Sequence, residues 1–160
     1  MIEIRRADPA EIEALATLWH DGWMDAHAAR VPAALTRLRT RSNFRERLEG
    51  FGELMRVAGP VGAPVGLCVV KGAELDQLFV SSAARGTGAA QALLADGEAR
   101  IAAAGHAVAT LDCAIGNDRA ARFYRKCGWR LRGEEEVELD TSDGPFALTT
   151  WVFEKRVDGA

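Results

Sequence analysis

Residues 53–80 hold three β-prone runs in succession, ELMRVAG, VGLCVVK and AELDQLFV, parted only by the turn-forming GPVGAP and by Gly72. Connections that short join antiparallel neighbours, whereas parallel strands need a crossover of about a dozen residues. The middle of the chain is therefore an antiparallel meander, and a sheet wound wholly from repeated strand–helix–strand units is excluded. At Val80 the pattern changes: the strand runs into SSAARGTG and then into a small-residue stretch. There Ala90, Leu93, Leu94, Gly97 and Ile101 fall on one helical face, and Gly105 ends the helix.

The flanking segments complete an α/β order. Residues 1–6 alternate as a half-buried strand does. Asp8-Pro9-Ala10-Glu11 offers an N-cap, a proline at the first helical position and an acid at the third, and Ile12, Leu15, Ala16 and Trp19 carry a helix predicted to end near His20. Residues 21–41, broken by Pro32, predict only an irregular second helix, and Ser42 is expected to cap a short helix reaching Leu48 and stopping at Gly50. Beyond Gly105, VATLDC (108–113) predicts a strand, Asn117 or Asp118 starts a helix through Lys126 that Gly128 stops, and residues 129–155 predict a hairpin turning at TSDGP. With 48% hydrophobic and 27% charged residues over 160, one ordinary core is available. No repeat or linker divides residues 1–160, which are read as a single α/β domain with a mixed, mostly antiparallel central sheet flanked by helices.

A net charge of −3 argues against nucleic-acid partners, and no apolar run is long enough for a membrane span. The N-terminus lacks the pattern of a signal peptide. Cys68, Cys113 and Cys127 are odd in number and without CxxC spacing, which suits buried thiols and a cytoplasmic location. His20, His27 and His106 are scattered and do not pair with the cysteines at ligand spacing, so no metal site is expected.

The loop after Val80 is the feature with chemistry in it. Glycines at a strand–helix junction turn the chain and uncover amide N–H groups at the positive end of a helix, where an anion is held. Arg85 adds a cation. A Walker-type loop fails, because no lysine stands between Lys71 and Lys126. A dinucleotide loop fits Gly86-x-Gly88 and an acid at Asp112, but the third small position is Gln91 and the preceding strands are antiparallel. A tight turn with no ligand would also account for the glycines alone.

Taken together, LDQLFVSSAARGTGAAQALL and NDRAARFYRKCGW resemble the GCN5-related N-acetyltransferase (GNAT) family. Arg85-x-x-Gly88-x-Ala90 matches that family's Q/R-x-x-G-x-G/A acyl-CoA signature, and the element order matches its fold over nearly the whole chain. The resemblance implies acetyl-CoA as cosubstrate and direct transfer of acetyl to an amine acceptor, small molecule or peptide, in a ternary complex. A CoA-binding module of the same fold without catalysis is the alternative. The family pattern implies that Arg85, Gly86, Thr87, Gly88, Ala89 and Ala90 receive the pyrophosphate. It implies that backbone amides at Leu78, Phe79 and Val80 pair with the pantetheine arm, with the Leu78 N–H polarising the acetyl carbonyl. Tyr124, the only tyrosine, matches the general acid beside the sulfur, and Asn117 the asparagine that bonds the cofactor arm. Glu74, four residues before Leu78, matches the general base of some members, with Asp76 nearby and His20 and His27 as competing bases. The region between the first two helices implies Trp23, Asp25 and His27 as an acceptor pocket suited to an amine. Pairing at the edge of the last strands leaves a homodimer open.

Overall fold

A computed structural model describes residues 2–159. Seven strands form one open sheet in the order β1-β2-β3-β4-β5-β7-β6. The expected meander is β2 (Met55–Ala58), β3 (Gly66–Lys71) and β4 (Glu74–Val80), with β1 (Ile4–Arg5) added antiparallel to β2. β5 (Val108–Cys113) pairs antiparallel with β7 (Gly144–Arg156), whose hairpin partner β6 (Arg130–Thr141) ends the sheet. Only the contact between β4 and β5 is parallel, and it consists of one register pair, Glu74 with Thr110.

Helices cover both faces because the strands alternate. Ala58, Cys68, Val70, Leu75, Ala109 and Leu111 point to one side, under α4 (Ala89–Ala103) and α5 (Asp118–Lys126). Val57, Leu67 and Val69 point to the other, where α1 (Ile12–His27), α2 (Ala33–Leu38) and α3 (Arg41–Phe51) build a core around Trp19 and Phe44. Burying side chains of that size contributes about 2 kcal/mol each. Gly97 brings α4 close to the sheet: a Cβ there would stand 2.9 Å from Leu75 Cδ1 and 3.2 Å from Cys68 Sγ.

The N-terminal cap forms as its residues predict: Asp8 accepts from the Ala10 N–H, and the Glu11 side chain accepts from the Asp8 N–H, at the 3₁₀ turn Pro9–Glu11 that leads into α1. Two boundaries differ from expectation. α1 does not stop near His20 but runs to His27, straight through Gly22. A Cβ on Gly22 would lie 2.8 Å from Phe79 Cδ1, so the missing side chain opens a slot for a β4 ring, and packing offsets the helix cost of glycine. The cap of α3 is Thr40 rather than Ser42, its hydroxyl accepting from the Asn43 N–H at 3.0 Å.

Candidate functional site

β4 and β5 touch at Glu74 and Thr110, where the Thr110 N–H donates to Ala73 O at 3.0 Å, and then diverge. A β-bulge helps to part them: Val69 pairs with Gln77 but Val70 with Leu75, leaving Asp76 as the extra residue. N–H groups along an antiparallel strand alternate between its two edges. The Ser81 N–H donates to Val65 O, and Phe79 lies opposite Leu67, so the Phe79 amide turns toward β3. The amides of Leu78 and Val80 therefore face the opening beside β5. Of the three amides expected to pair with the pantetheine arm, those of Leu78 and Val80 face the cleft, whereas that of Phe79 turns to the β3 ladder and its ring fills the slot at Gly22. The cleft has a volume of about 1200 Å³ and runs from the α4 N-terminus past Tyr124 to the β6–β7 hairpin.

At one end stands the glycine loop. Gly86 and Gly88 adopt φ of +79° and +87°, a left-handed backbone that suits glycine, and a Cβ on Gly86 would meet nothing within 4 Å. Gly88 caps α4 without a side chain; the Ala89 N–H makes a long bond of 3.4 Å to Thr87 Oγ1, and Ala89 and Ala90 add little bulk over the amides that follow. The Thr87 hydroxyl donates to Ala84 O, tying the turn rather than facing outward. Arg85 and Arg119 of α5 converge on one carboxylate: each donates to Asp25 Oδ2 at 3.1 Å. Asp25 thus sits beside the glycine loop at the α4 end of the cleft, and the two arginines hold its carboxyl below the usual range, Arg119 most strongly. Arg119 was not singled out by the sequence, because one arginine on a solvated helix looks like any other.

Further in, Glu74 is pushed up to about 7, first by burial and then by Asp76 and Asp112. Asp112 is raised too, by burial and by Asp76. Glu74, Thr110 and Asp112 share the face opposite Leu75, Ala109 and Leu111, while Asp76 stands at the bulge with Lys71 Nζ 3.7 Å away. A carboxyl near 7 is half ionised at neutral pH, which is where an acid–base group works best. Across the cleft the Tyr124 phenol is raised by burial and stays protonated, its ring packed against Trp129 and Phe153. Asn117 caps α5, its Oδ1 accepting from the Ala120 N–H at 3.3 Å, which leaves its amide NH₂ at the cleft wall. The thiols are packed rather than reactive: burial pushes Cys68 up to about 12 and Cys113 up to about 11.

Trp23 and His27 line the cleft but are largely buried in its wall. Trp23 is 6% exposed, and its ring stacks on His27 with centroids 5.0 Å apart. Burial pushes the His27 imidazole down to about 4, so it is neutral at pH 7 and a weak base, not the near-neutral group expected. The polar lining on this side comes instead from Arg39, Arg47 and Thr150, none of which the sequence marked. Among the described residues no cluster of His, Cys, Asp or Glu fits a metal ion, and no helix is long and apolar enough to cross a membrane.

The acetyltransferase (GNAT) family model matches residues 22–129, more than half the chain. No curated protein matches the sequence. Among solved structures, the fold is similar to the GCN5-related N-acetyltransferase (aminotransferase, class-II) from Rhodopseudomonas palustris, with TM-score 0.73 and 21% identity over 96% of this chain and 94% of that one. It is similar to the PaiA N-acetyltransferase from Thermoplasma acidophilum in complex with coenzyme A, with TM-score 0.71 and 18% identity over 98% and 99%. It is also similar to yncA, a putative acetyltransferase from Salmonella typhimurium with its cofactor acetyl-CoA, with TM-score 0.66 and 16% identity over 100% and 96%. The strands that part after one register pair, the helix that opens on Arg85-x-x-Gly88-x-Ala90 and the matched family model agree, and the chain belongs to the GNAT acetyltransferase family.

Proposed function

We propose that the protein moves the acetyl group of acetyl-CoA directly to an amine held in the same cleft, without a covalent enzyme intermediate. The observation that carries this reading is the parting of β4 from β5, which leaves the Leu78 and Val80 amides free beside a glycine-opened helix N-terminus. That layout fits the cosubstrate: the Arg85–Ala90 loop and Arg119 suit the pyrophosphate, and the two strand amides and Asn117 suit the amide-bearing arm. Acetyl-CoA supplies the activated acetyl group.

The chain's own groups handle protons and charge. The Leu78 N–H stabilises the negative charge that develops on the acetyl oxygen. Glu74 removes a proton from the incoming ammonium, directly or through one water, because only the free amine has a lone pair to attack with. As the C–N bond forms and the C–S bond breaks, the nitrogen gives up a second proton. One proton ends on the sulfur, delivered by Tyr124, and the other leaves through Glu74, so the sum is ammonium plus thioester giving amide, thiol and H⁺. With a thiol at roughly 8.5 and a phenol at roughly 10 that delivery is uphill in reference terms, and burial of Tyr124 widens the gap. The transfer is therefore drawn by the charge that builds on the sulfur as the C–S bond breaks.

Calorimetric titration with acetyl-CoA tests this. Micromolar binding that weakens in Arg85→Glu, together with turnover on a panel of primary amines, is the expected result. Binding without turnover on any amine would instead support a non-catalytic CoA module, and no binding would end the acetyl-transfer reading.

A further inference from the structure

One wall of the cleft holds two positive charges that, among the described residues, form no ion pair. Arg39 is 4% exposed, yet among the described residues its Nε and Nη1 have no hydrogen-bond partner, and its Nη2 donates to the Asp140 backbone carbonyl at 3.0 Å. Arg47 lies beside it, half-buried, its Cζ 4.4 Å from the Trp19 ring centroid. Burial lowers both guanidiniums, and at Arg47 the charge of Arg39 lowers it further. Asp76 and Asp140 lie within Coulombic reach of both, but among the described residues neither forms an ion pair with them. Asp76 instead points toward Lys71. The Thr150 hydroxyl, also buried and without a partner, lines the same wall.

Burying an unpaired guanidinium costs several kcal/mol, and a cation stacked on an aromatic ring recovers only about 1–2 of it. A fold retains such a pair at little benefit to itself unless something else satisfies it. A purely cationic acceptor would leave both arginines unpaired and be repelled by them. Beyond the bulge, Glu74 and Asp112 present carboxyl groups to the same space, while Asp76 at the bulge is within Coulombic reach of both sets of charges. The cleft is thus divided between an end that wants an anion and an end that wants an ammonium.

We infer that the acceptor is an amine that also bears an oxyanion, as a free amino acid does: Arg39 and Arg47 take the oxyanion, with the Thr150 hydroxyl beside them, while the carboxylates around Glu74 take the ammonium. Planar guanidiniums match a carboxylate or phospho group in two-point contact. The inference rests on the acetyl-transfer reading and narrows its substrate class.

Two measurements on the full chain test it. The first is calorimetric titration of the CoA-saturated protein with N-acetyl-amino acids of acidic, basic, small and apolar side chains, and with the corresponding amides. This reads product binding without needing turnover. The second compares kcat/KM for free amino acids, their amides and aminoalkyl phosphonates. Free acids are expected to exceed their amides by roughly tenfold or more, since an amide leaves the arginines unpaired. Arg39→Met and Arg47→Met are each expected to reduce that preference to near parity while acetyl-CoA binding stays at the parent value. Arg47 is less buried than Arg39, so its variant keeps the test falsifiable if Arg39→Met folds poorly. A phosphonate that outperforms the carboxylates would assign the oxyanion as a phospho group. Amides bound as well as acids, or a preference that survives both substitutions, overturns the inference and leaves acetyl transfer standing. Failure of acetyl-CoA itself to bind would end both.

Discussion

Glu74 was legible as a candidate from its spacing to Leu78, but its pKa was not, because that depends first on burial in the folded cleft and then on Asp76 and on Asp112 arriving from β5. With its carboxyl near 7, kcat/KM should rise with pH through about 7 as the base becomes ionised. In Glu74→Gln that limb should vanish and kcat fall by roughly a hundredfold. A pH–rate profile checks it, and an unchanged limb in the variant would assign the base elsewhere. Stability should move the opposite way. The folded carboxyl sits above its ordinary 4.5, so the native state binds the proton more tightly and stability falls as pH rises from about 4.5 through about 7. Glu74→Gln should therefore melt higher than the parent at pH 8 and match it near pH 4. Tyr124 and Asn117 were placed by motif, whereas Arg39 and Arg47 carry no signal, since nothing in a sequence separates a buried arginine from a solvated one.

At the scale of elements, α1 departed most from its sequence. Propensity alone ends it near Gly22, but Phe79 needs the space a glycine leaves. Gly22→Ala should gain about 1 kcal/mol of helix propensity and lose about 1–3 from the clash, for a small net loss in urea melts. In a Phe79→Leu background the same substitution should become stabilising. The extended α1 also delivers Asp25 to Arg85 and Arg119, so a carboxylate of the chain stands where a phosphate is proposed to sit. Asp25→Ala should tighten acetyl-CoA binding by about fivefold by freeing both arginines. It should barely change Tm, because exposed ion pairs contribute about 0.2–1 kcal/mol. Weaker binding in that variant would mean that Asp25 orders the arginines for the ligand instead.

For the whole molecule, one clamp ties the N-terminal strand, the first helical turn and the β2–β3 connection together. Arg5 donates twice to Glu11 at 2.8 Å, and Glu11 also accepts from the Asp8 and Gly62 amides. The Arg5 side chain holds the Glu11 carboxyl down to about 2, from an ordinary 4.5. A depressed acid stabilises the fold fully above about 4.5 and ceases to do so as pH falls toward about 2. Replacing Glu11 by Gln should cost about 3 kcal/mol at pH 7, because Arg5 is left buried without its partner. That difference should shrink below pH 4 in denaturant titrations, and a constant difference would show the loss to be packing rather than charge.

Hydrophobic period, short connections and glycine placement determined the element order, the antiparallel meander, the loop at 85–90 and the helix that carries Tyr124, because these are set within a few residues. The capping box at Asp8 was equally local. What only the tertiary structure decided are quantities set between distant segments. The bulge at Asp76 and the lone pair of Glu74 with Thr110 determine which amides face a ligand. The meeting of Asp25 with Arg85 and Arg119, 60 and 94 residues away, gathers these charges beside the glycine loop. Buried Arg39 and half-buried Arg47 come together on one wall of the cleft that Glu74 and Asp112 also line. Charge acquires its meaning from burial and neighbours, and neither is written in local sequence.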